Sequence, residues 1–349
     1  MRSAVDSENL GDVGTKPYST STGYVLAMQC SRCDAEAVVH IAYSGSHLCA
    51  DHLCRSVDKR VRRRIRDDQL LPEDARPEDP VRWVVGLSGG KDSAVLATIL
   101  HETFAEDPRI DLTALTIHEG IEGYRDESLE ACVDLVDDLG MQHEVVTYED
   151  EFGIRMDEVA ADDTAEMSPC SYCGVFRRDV LSRYAEEYAA DLLLTGHNLD
   201  DAAQTALMNV LSGDVGQMAK HFEASLAPLN DRTNQSRFIP RAKPLRDIPE
   251  KEVALYAHLR DIPAHMHECP HASEAFRGEV QSIIHDLEDG HPGTRHAILA
   301  GYEELAELAA DARQESDGET TGTCPECGAV TTGDSCRSCQ LLRALSVAD

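Results

Sequence analysis

Lysine is scarce in this chain of 349 residues. Only Lys16, Lys59, Lys91, Lys220, Lys243 and Lys251 are present among 32 basic residues, the rest being arginine. Positive charge is in deficit altogether, since 64 acidic residues leave a formal net charge of −32. Bulk charge therefore excludes non-specific attraction to a polyanion, and any such contact has to be local. A folded, acidic, lysine-poor chain suits solubility in a saline cytoplasm, and an acidic face for a basic partner is the rival reading. No apolar run of about 18 residues occurs, so no transmembrane helix is expected. The opening MRSAVDSENLGDVG lacks the apolar centre of a signal peptide. Without a secretory signal, twelve cysteines point to metals or redox chemistry rather than to a disulfide framework. Hydrophobic residues at 42% argue against disorder, and the length suggests more than one domain. No long internal repeat is visible.

The cysteines fall in groups. Cys30 and Cys33 (CSRC) precede Cys49 and His52 (CADH), with Cys54 just beyond. Two close-spaced ligand pairs can close a tetrahedral zinc site. His52 is preferred to Cys54 because its two-residue gap repeats that of the other pair. Near the other end, Cys324, Cys327, Cys336 and Cys339 form two Cys-x2-Cys knuckles around a Gly-containing turn, the pattern of a zinc ribbon. With four protein ligands each, both modules read as structural zinc sites. Cys132 lies among Leu129, Val133, Leu135, Val136 and Leu139 at helical spacing and reads as a core thiol. That leaves Cys170, Cys173 and Cys269, three thiols with no obvious fourth ligand.

Coarse organisation follows from composition. Residues 1–23 are polar and read as a flexible tail, and residues 24–66 as the N-terminal metal module with a basic helix. Seven basic residues and one acid lie between Arg55 and Arg66. Either they form a solvated linker helix or they contact phosphate. From Val81, apolar strands (VRWVVGL, IDLTALTIHEG, HEVVTYE, DLLLTGHN) alternate with helical segments (DSAVLATILHETF, Asp126–Gly140, RRDVLSRYAEEYAA, DDAAQTALMNVLSG). Such alternation implies an α/β fold with a parallel sheet covered by helices on both faces. That core is expected over 80–250, with a helical region carrying Cys269 over 251–315. The zinc ribbon is placed at 320–345.

Between the first strand and the first helix lies Ser88-Gly89-Gly90-Lys91-Asp92-Ser93. Two glycines allow a tight turn and close approach of the backbone to a ligand. The N–H groups that follow sit at a helix N-terminus, where partial positive charge attracts phosphate. Lys91 adds a point charge, and Ser88 and Ser93 offer hydroxyls. Asp92 would repel phosphate alone, which implies a bridging Mg2+ or a catalytic role. The spacing is not that of a G-x4-G-K-[ST] loop.

SGGKDS resembles the pyrophosphate loop of the adenylating ATP pyrophosphatases, whose fold is called adenine nucleotide alpha hydrolase-like. CSYCGVFRR, LLLTGHNLDDAAQT, PLRDIPEKEV and ECPHASEAFRGE further resemble the TtcA/TtuA family of tRNA thiolation enzymes, over roughly residues 28–340. Arg177, where TtuA-type members carry lysine, points to the archaeal and eukaryotic wobble-uridine 2-thiolation branch. The resemblance implies a tRNA sulfurtransferase that adenylates the C2 oxygen of wobble uridine 34 with ATP and replaces it by sulfur. It implies that Gly196 contacts nucleotide and that Asp201 is a catalytic or Mg2+-binding carboxylate, although Asp201 also reads as a helix N-terminal acid. Arg177, four residues after Cys173, is expected on the first turn of a helix, within reach of the α-phosphate. It implies that Cys170, Cys173 and Cys269 hold a 4Fe–4S cluster with one open iron. A Cys3His zinc site using His267 or His271, and a disulfide passing sulfur as a persulfide, are the alternatives. A ubiquitin-like sulfur carrier, a homodimer and a cytoplasmic, membrane-free location are implied as well. Candidate tRNA contacts are Arg55–Arg66, the metal modules and the basic residues of 237–246. Competing functions are thiolation of cytidine 32 or of T-loop uridine 54, an amide ligase without sulfur chemistry, and a non-catalytic zinc-module adaptor for tRNA or a sulfur carrier.

Overall fold

The computed structural model describes residues 28–162, 167–219, 239–271, 276–314, 322–331 and 333–346. The tail 1–23 and the link 316–321 lie outside the described residues.

The first described module is a hairpin of β1 (Val39–Ile41) and β2 (Ser46–Leu48), followed directly by α1 (Ala50–Asp67). Helix α1 buries Leu53, Val57, Val61 and Ile65, a stripe repeating every four residues. That stripe packs on α8 (Glu250–Leu259) and so fastens the module to the main body. The basic residues occupy the other faces. Four are in ion pairs: Arg55 with Asp51, Arg60 with Glu252, Arg64 with Asp68 and Asp247, and Arg66 with Asp67. Four of the seven cations are thus already paired, one of them, Arg60, in a largely buried pair, which favours the solvated-helix reading for this block.

The main body is a five-stranded, all-parallel sheet. Its strands are β3 (Val81–Gly86), β4 (Ile110–His118), β5 (Gln142–Thr147), β6 (Leu192–Thr195) and β7 (Arg241–Ala242), in the order β5-β4-β3-β6-β7. This is the expected α/β architecture. Alternate residues of β3 feed two cores, as a pleated strand buried on both faces requires. Trp83 and Val85 face one core with α1, α2 (Lys91–Phe104) and α8. Val84 faces another with α4 (Tyr148–Phe152), α5 (Met156–Ala161) and α6 (Pro169–Glu187). Trp83 is fully buried, edge-on to Phe104 with ring centres 5.1 Å apart. Truncating it to alanine would cost about 3–5 kcal/mol. Helix α3 (Tyr124–Leu139) joins β4 to β5, and α7 (Leu199–Ser212) follows β6. Helices α9 (Phe276–Gly290) and α10 (Thr294–Gln314) pack on α7. The chain ends in a two-stranded ribbon, β8 (Gly322–Thr323) and β9 (Val330–Thr331), and α11 (Arg337–Ser346), which packs on α6.

Three local expectations change. Strand β7 lies in a stretch expected to be irregular, because two residues paired to β6 leave no periodic signal. Helix α6 begins at Pro169, a residue favoured in the first turn. Cys170 and Cys173 are therefore on its opening turns, and Arg177 lies one turn beyond Cys173 rather than on the first turn. Residues 262–269, expected within a helical region, form an extended segment carrying Cys269.

Candidate active site

Strand order reverses at β3, whose neighbours β4 and β6 lead away in opposite directions. Loops leaving the C-terminal ends of such strands diverge and open a crevice there. A cavity of about 280 Å³ lies at that point, bordered by residues after β3, β4 and β6 and by α6. Its lining includes Ser88, Asp92, Ser93, Glu119, Arg177, Gly196, His197 and Asp201.

Gly89 has φ of +81°, and a Cβ there would fall 2.3 Å from the carbonyl oxygen of Ser128 on α3. Only glycine fits this turn. The Ser93 hydroxyl accepts from Ser88 N–H and donates to the Gly90 carbonyl, both at 3.0 Å. It staples the loop as well as facing the cavity. The Lys91 ammonium lies 2.6 Å from Glu250 and 3.0 Å from Asp92 and is not part of the cavity wall. Asn198 donates to Asp92 at 3.1 Å, while its backbone N–H donates to Asp201 at 3.1 Å. Asp201 is therefore both a capping-box acid of α7 and a cavity carboxylate. Burial pushes both carboxyls up from their ordinary values. A Cβ on Gly196 would meet the Ser93 nitrogen at 2.7 Å, so the β6 loop packs directly against the phosphate loop.

Glu119, just past β4, is completely buried and pairs with both Arg125 and Arg177. Arg125 also donates to the carbonyls of Ser88 and Ile117 at 3.0 and 2.7 Å, tying the loop after β3 to β4. Arg177 reaches the cavity and donates to Cys173 Sγ at 3.3 Å. Glu119 raises the pKa of Arg177 further, fixing its charge. Glu119, Arg125, Asn198, His197 and Glu250 escaped the sequence reading. The signal for Glu119 was its place directly after the second strand, matching that of the phosphate loop after the first.

Cys173 and Cys269 are half-buried in one apolar core, while Cys170 is exposed. Burial raises the pKa of both Cys173 and Cys269, and the charge of Cys170 adds to the rise at Cys269. Cys170 Sγ lies 3.2 Å from the His271 carbonyl. The segment carrying Cys269 is anchored to the phosphate loop, since His265 N–H donates to the Gly89 carbonyl at 2.8 Å. The three predicted thiols thus share one end of the sheet with the nucleotide loop. The His271 ring is 2.7 Å from Asp157, and the His267 ring lies tilted against His265 with ring centres 5.1 Å apart.

Among the described residues, two sets bring four ligand atoms within 4.8 Å of one another: Cys30, Cys33, Cys49 and His52, and Cys324, Cys327, Cys336 and Cys339. His52 Nδ1 is 3.3–3.5 Å from the three thiols of its set, and Cys54 instead packs against the core. These separations suit one tetrahedral ion with thiolate ligands.

Residues 59–269 match the PP-loop domain, and residues 29–54 match the N-terminal LIM domain of the 2-thiouridine synthetase TtuA. Over 318 residues the chain is 62% identical to the tRNA 2-thiolation protein NcsA of Haloferax volcanii, covering 91% of this chain and 99% of that protein. The chain belongs to the NcsA family of PP-loop proteins. A further relative is the cytoplasmic tRNA 2-thiolation protein 1 of Aspergillus niger, 35% identical over 320 residues, covering 91% of this chain and 88% of that one. Among solved structures, the U34-tRNA thiolase NcsA of Methanococcus maripaludis with its 4Fe–4S cluster superposes with a TM-score of 0.74 at 33% identity. The match covers 92% of this chain and 97% of that one. No helix among the described residues is long and apolar enough to cross a membrane.

Proposed function

We propose that this NcsA-family chain is an ATP-dependent tRNA 2-thiouridine synthase acting on wobble uridine 34 in the cytoplasm. One observation carries the reading. Arg177 lines the nucleotide cavity and also touches Cys173 Sγ, joining a phosphate-binding loop to a three-thiol site. A ligase that made only amides would have no use for those thiols.

The donor set fits a 4Fe–4S cluster. Cys170 and Cys173 open α6, Cys269 shares a core with Cys173, and Cys170 acts electrostatically on Cys269, so three thiols gather at one place and would leave one iron of a cluster without a protein ligand. When bound, the cluster supplies an iron coordination position for sulfide. The chain's own residues do the rest. The loop from Ser88 to Ser93, with Gly89, Gly90 and Lys91 shaping it, holds ATP by backbone N–H groups at the start of α2. Asp92 and Asp201 face the cavity as the carboxylates for Mg2+. The uridine C2 oxygen attacks the α-phosphate and pyrophosphate leaves, which turns a poor leaving group into AMP. Arg177 balances charge gathering on that phosphate. Sulfur then displaces AMP at C2. Gly196 keeps the β6 loop close enough to shape the nucleotide cleft. Cys30, Cys33, Cys49 and His52, and Cys324, Cys327, Cys336 and Cys339, would each hold a zinc ion that closes their module, and a ubiquitin-like thiocarboxylate carrier is the sulfur source.

Anaerobic reconstitution tests the reading. The protein is incubated with ATP, Mg2+, sulfide and unmodified tRNA, and nucleosides are mapped by mass spectrometry. About four irons per chain, with 2-thiouridine at position 34 lost in Cys173→Ala, is expected. Sulfur at cytidine 32 or uridine 54, or thiolation that survives Cys173→Ala, overturns it.

A further inference from the structure

Beside His197 of the cavity wall gather cations that the nucleotide loop does not use. Lys243 just after β7, Arg277 on α9 and Arg241 on β7 act on the His197 ring, and Arg178 on α6 lies next to Arg241. Arg241 reaches across to α6, donating to the Arg178 carbonyl at 3.0 Å and to Ser182 Oγ at 2.6 Å. Arg277 stands 3.8 Å from Asp201 at the nucleotide end. A Cβ on Gly174 would lie 3.6 Å from Arg178 Nη1, so that guanidinium folds back toward the Cys173 turn. The row therefore runs along the cleft from the thiols to the nucleotide.

Among the described residues, no carboxylate pairs with Arg178 or Arg241, and Lys243 has only Asp201, which it shares with Arg277, acting on it. So few carboxylate partners are unexpected in a chain of net charge −32, where acids outnumber bases two to one. Desolvation and mutual repulsion hold all three below their ordinary pKa values, and His197 is pushed down to about 4 by desolvation and by Lys243, Arg277, Arg177 and Arg241. Cations gathered beside one cleft, with few carboxylates among them, present a local positive surface that suits an anion arriving from outside.

We infer that Arg178, Arg241, Lys243 and Arg277 form a track for backbone phosphates of single-stranded RNA, flanking the nucleotide whose base enters the cavity. The inference rests on the tRNA reading above. An RNA loop brings several phosphates at chain spacing, matching an extended row rather than a point site. The basic block of α1, four of whose seven cations are in ion pairs, does not line this cavity.

The test uses the full-length protein and unmodified tRNA, with affinity measured over a KCl series and ATP affinity by calorimetry. The double variant Arg178→Gln/Lys243→Gln alters two exposed side chains, so folding is little affected. The expected result is tRNA binding weakened about tenfold or more, with the log–log salt slope reduced by about 1.4, two single-strand phosphates at about 0.7 each. ATP affinity should stay within about twofold. Arg82→Gln, at the opposite end of β3, serves as the equal-chemistry control and should change neither. Unchanged tRNA binding in the double variant overturns the track, as does weakened binding of ATP alone, which assigns the cations to nucleotide phosphates. An equal effect per charge from Arg82→Gln reduces it to bulk charge. A wild-type protein that binds ATP but no tRNA overturns the tRNA reading beneath it.

Discussion

Replacing Gly89 by alanine sets one methyl group against the main chain of α3. The backbone at Gly89 has φ of +81°, which costs an L-residue about 1–2 kcal/mol. The added Cβ would sit 2.3 Å from the Ser128 carbonyl oxygen and 2.9 Å from its carbonyl carbon. These are backbone atoms inside a helix, unable to swing aside as a side-chain tip can, and shifting packed main chain costs about 1–3 kcal/mol more. The total is about 2–5 kcal/mol, and it must appear somewhere. If the loop moves to relieve the clash, ATP affinity falls roughly 30-fold or more, since 1.4 kcal/mol is a factor of ten. If the loop holds, the melting temperature falls instead. Gly90→Ala is the matched control. There φ is −77°, and the nearest atom to a new Cβ is Ser88 Oγ at 3.6 Å, an ordinary contact. It should cost no more than about 0.5 kcal/mol. Calorimetric ATP titration and thermal melting of both variants decide the matter. A Gly89→Ala protein matching Gly90→Ala in both would refute the argument that backbone geometry selects this glycine.

Other perturbations have equally definite outcomes. Glu119→Gln removes the charge that two arginines share in a fully buried position; a loss of about 3–5 kcal/mol is expected, lowering the melting temperature by about 10 °C. A shift below about 2 °C would show that the arginines find other partners. His52→Ala should lose one metal equivalent by elemental analysis, whereas Cys54→Ala should keep the full complement; the reverse would exchange their roles. The His197 ring resists protonation to about pH 4 when folded but titrates near 6.5 when unfolded. Between those values the unfolded chain binds the extra proton, so this residue lowers stability as pH falls through the window and has no effect above it. His197→Gln should therefore flatten the decline in melting temperature between pH 6.5 and 4.5, and parallel wild-type and variant curves would contradict the cation-crowded cleft.

The sequence by itself determined whatever is written in short-range order. Strand and helix periods announced the parallel sheet, because the apolar face of each element repeats at its own backbone spacing. SGGKDS after an apolar strand announced the phosphate loop, and two-residue gaps between cysteines announced both terminal modules, since one ion demands ligands that close on it from adjacent turns. The tertiary structure decided what depends on distance through space. It brought Cys269 beside a helix nearly a hundred residues earlier by bonding His265 to Gly89. It chose His52 over Cys54 by turning one side chain toward the thiols and the other into the core. It gave Arg55, Arg60, Arg64 and Arg66 of α1 carboxylate partners, and among the described residues gave none to Arg178 or Arg241. No local pattern separates a paired arginine from an unpaired one, because charge compensation is set by neighbours that only folding supplies.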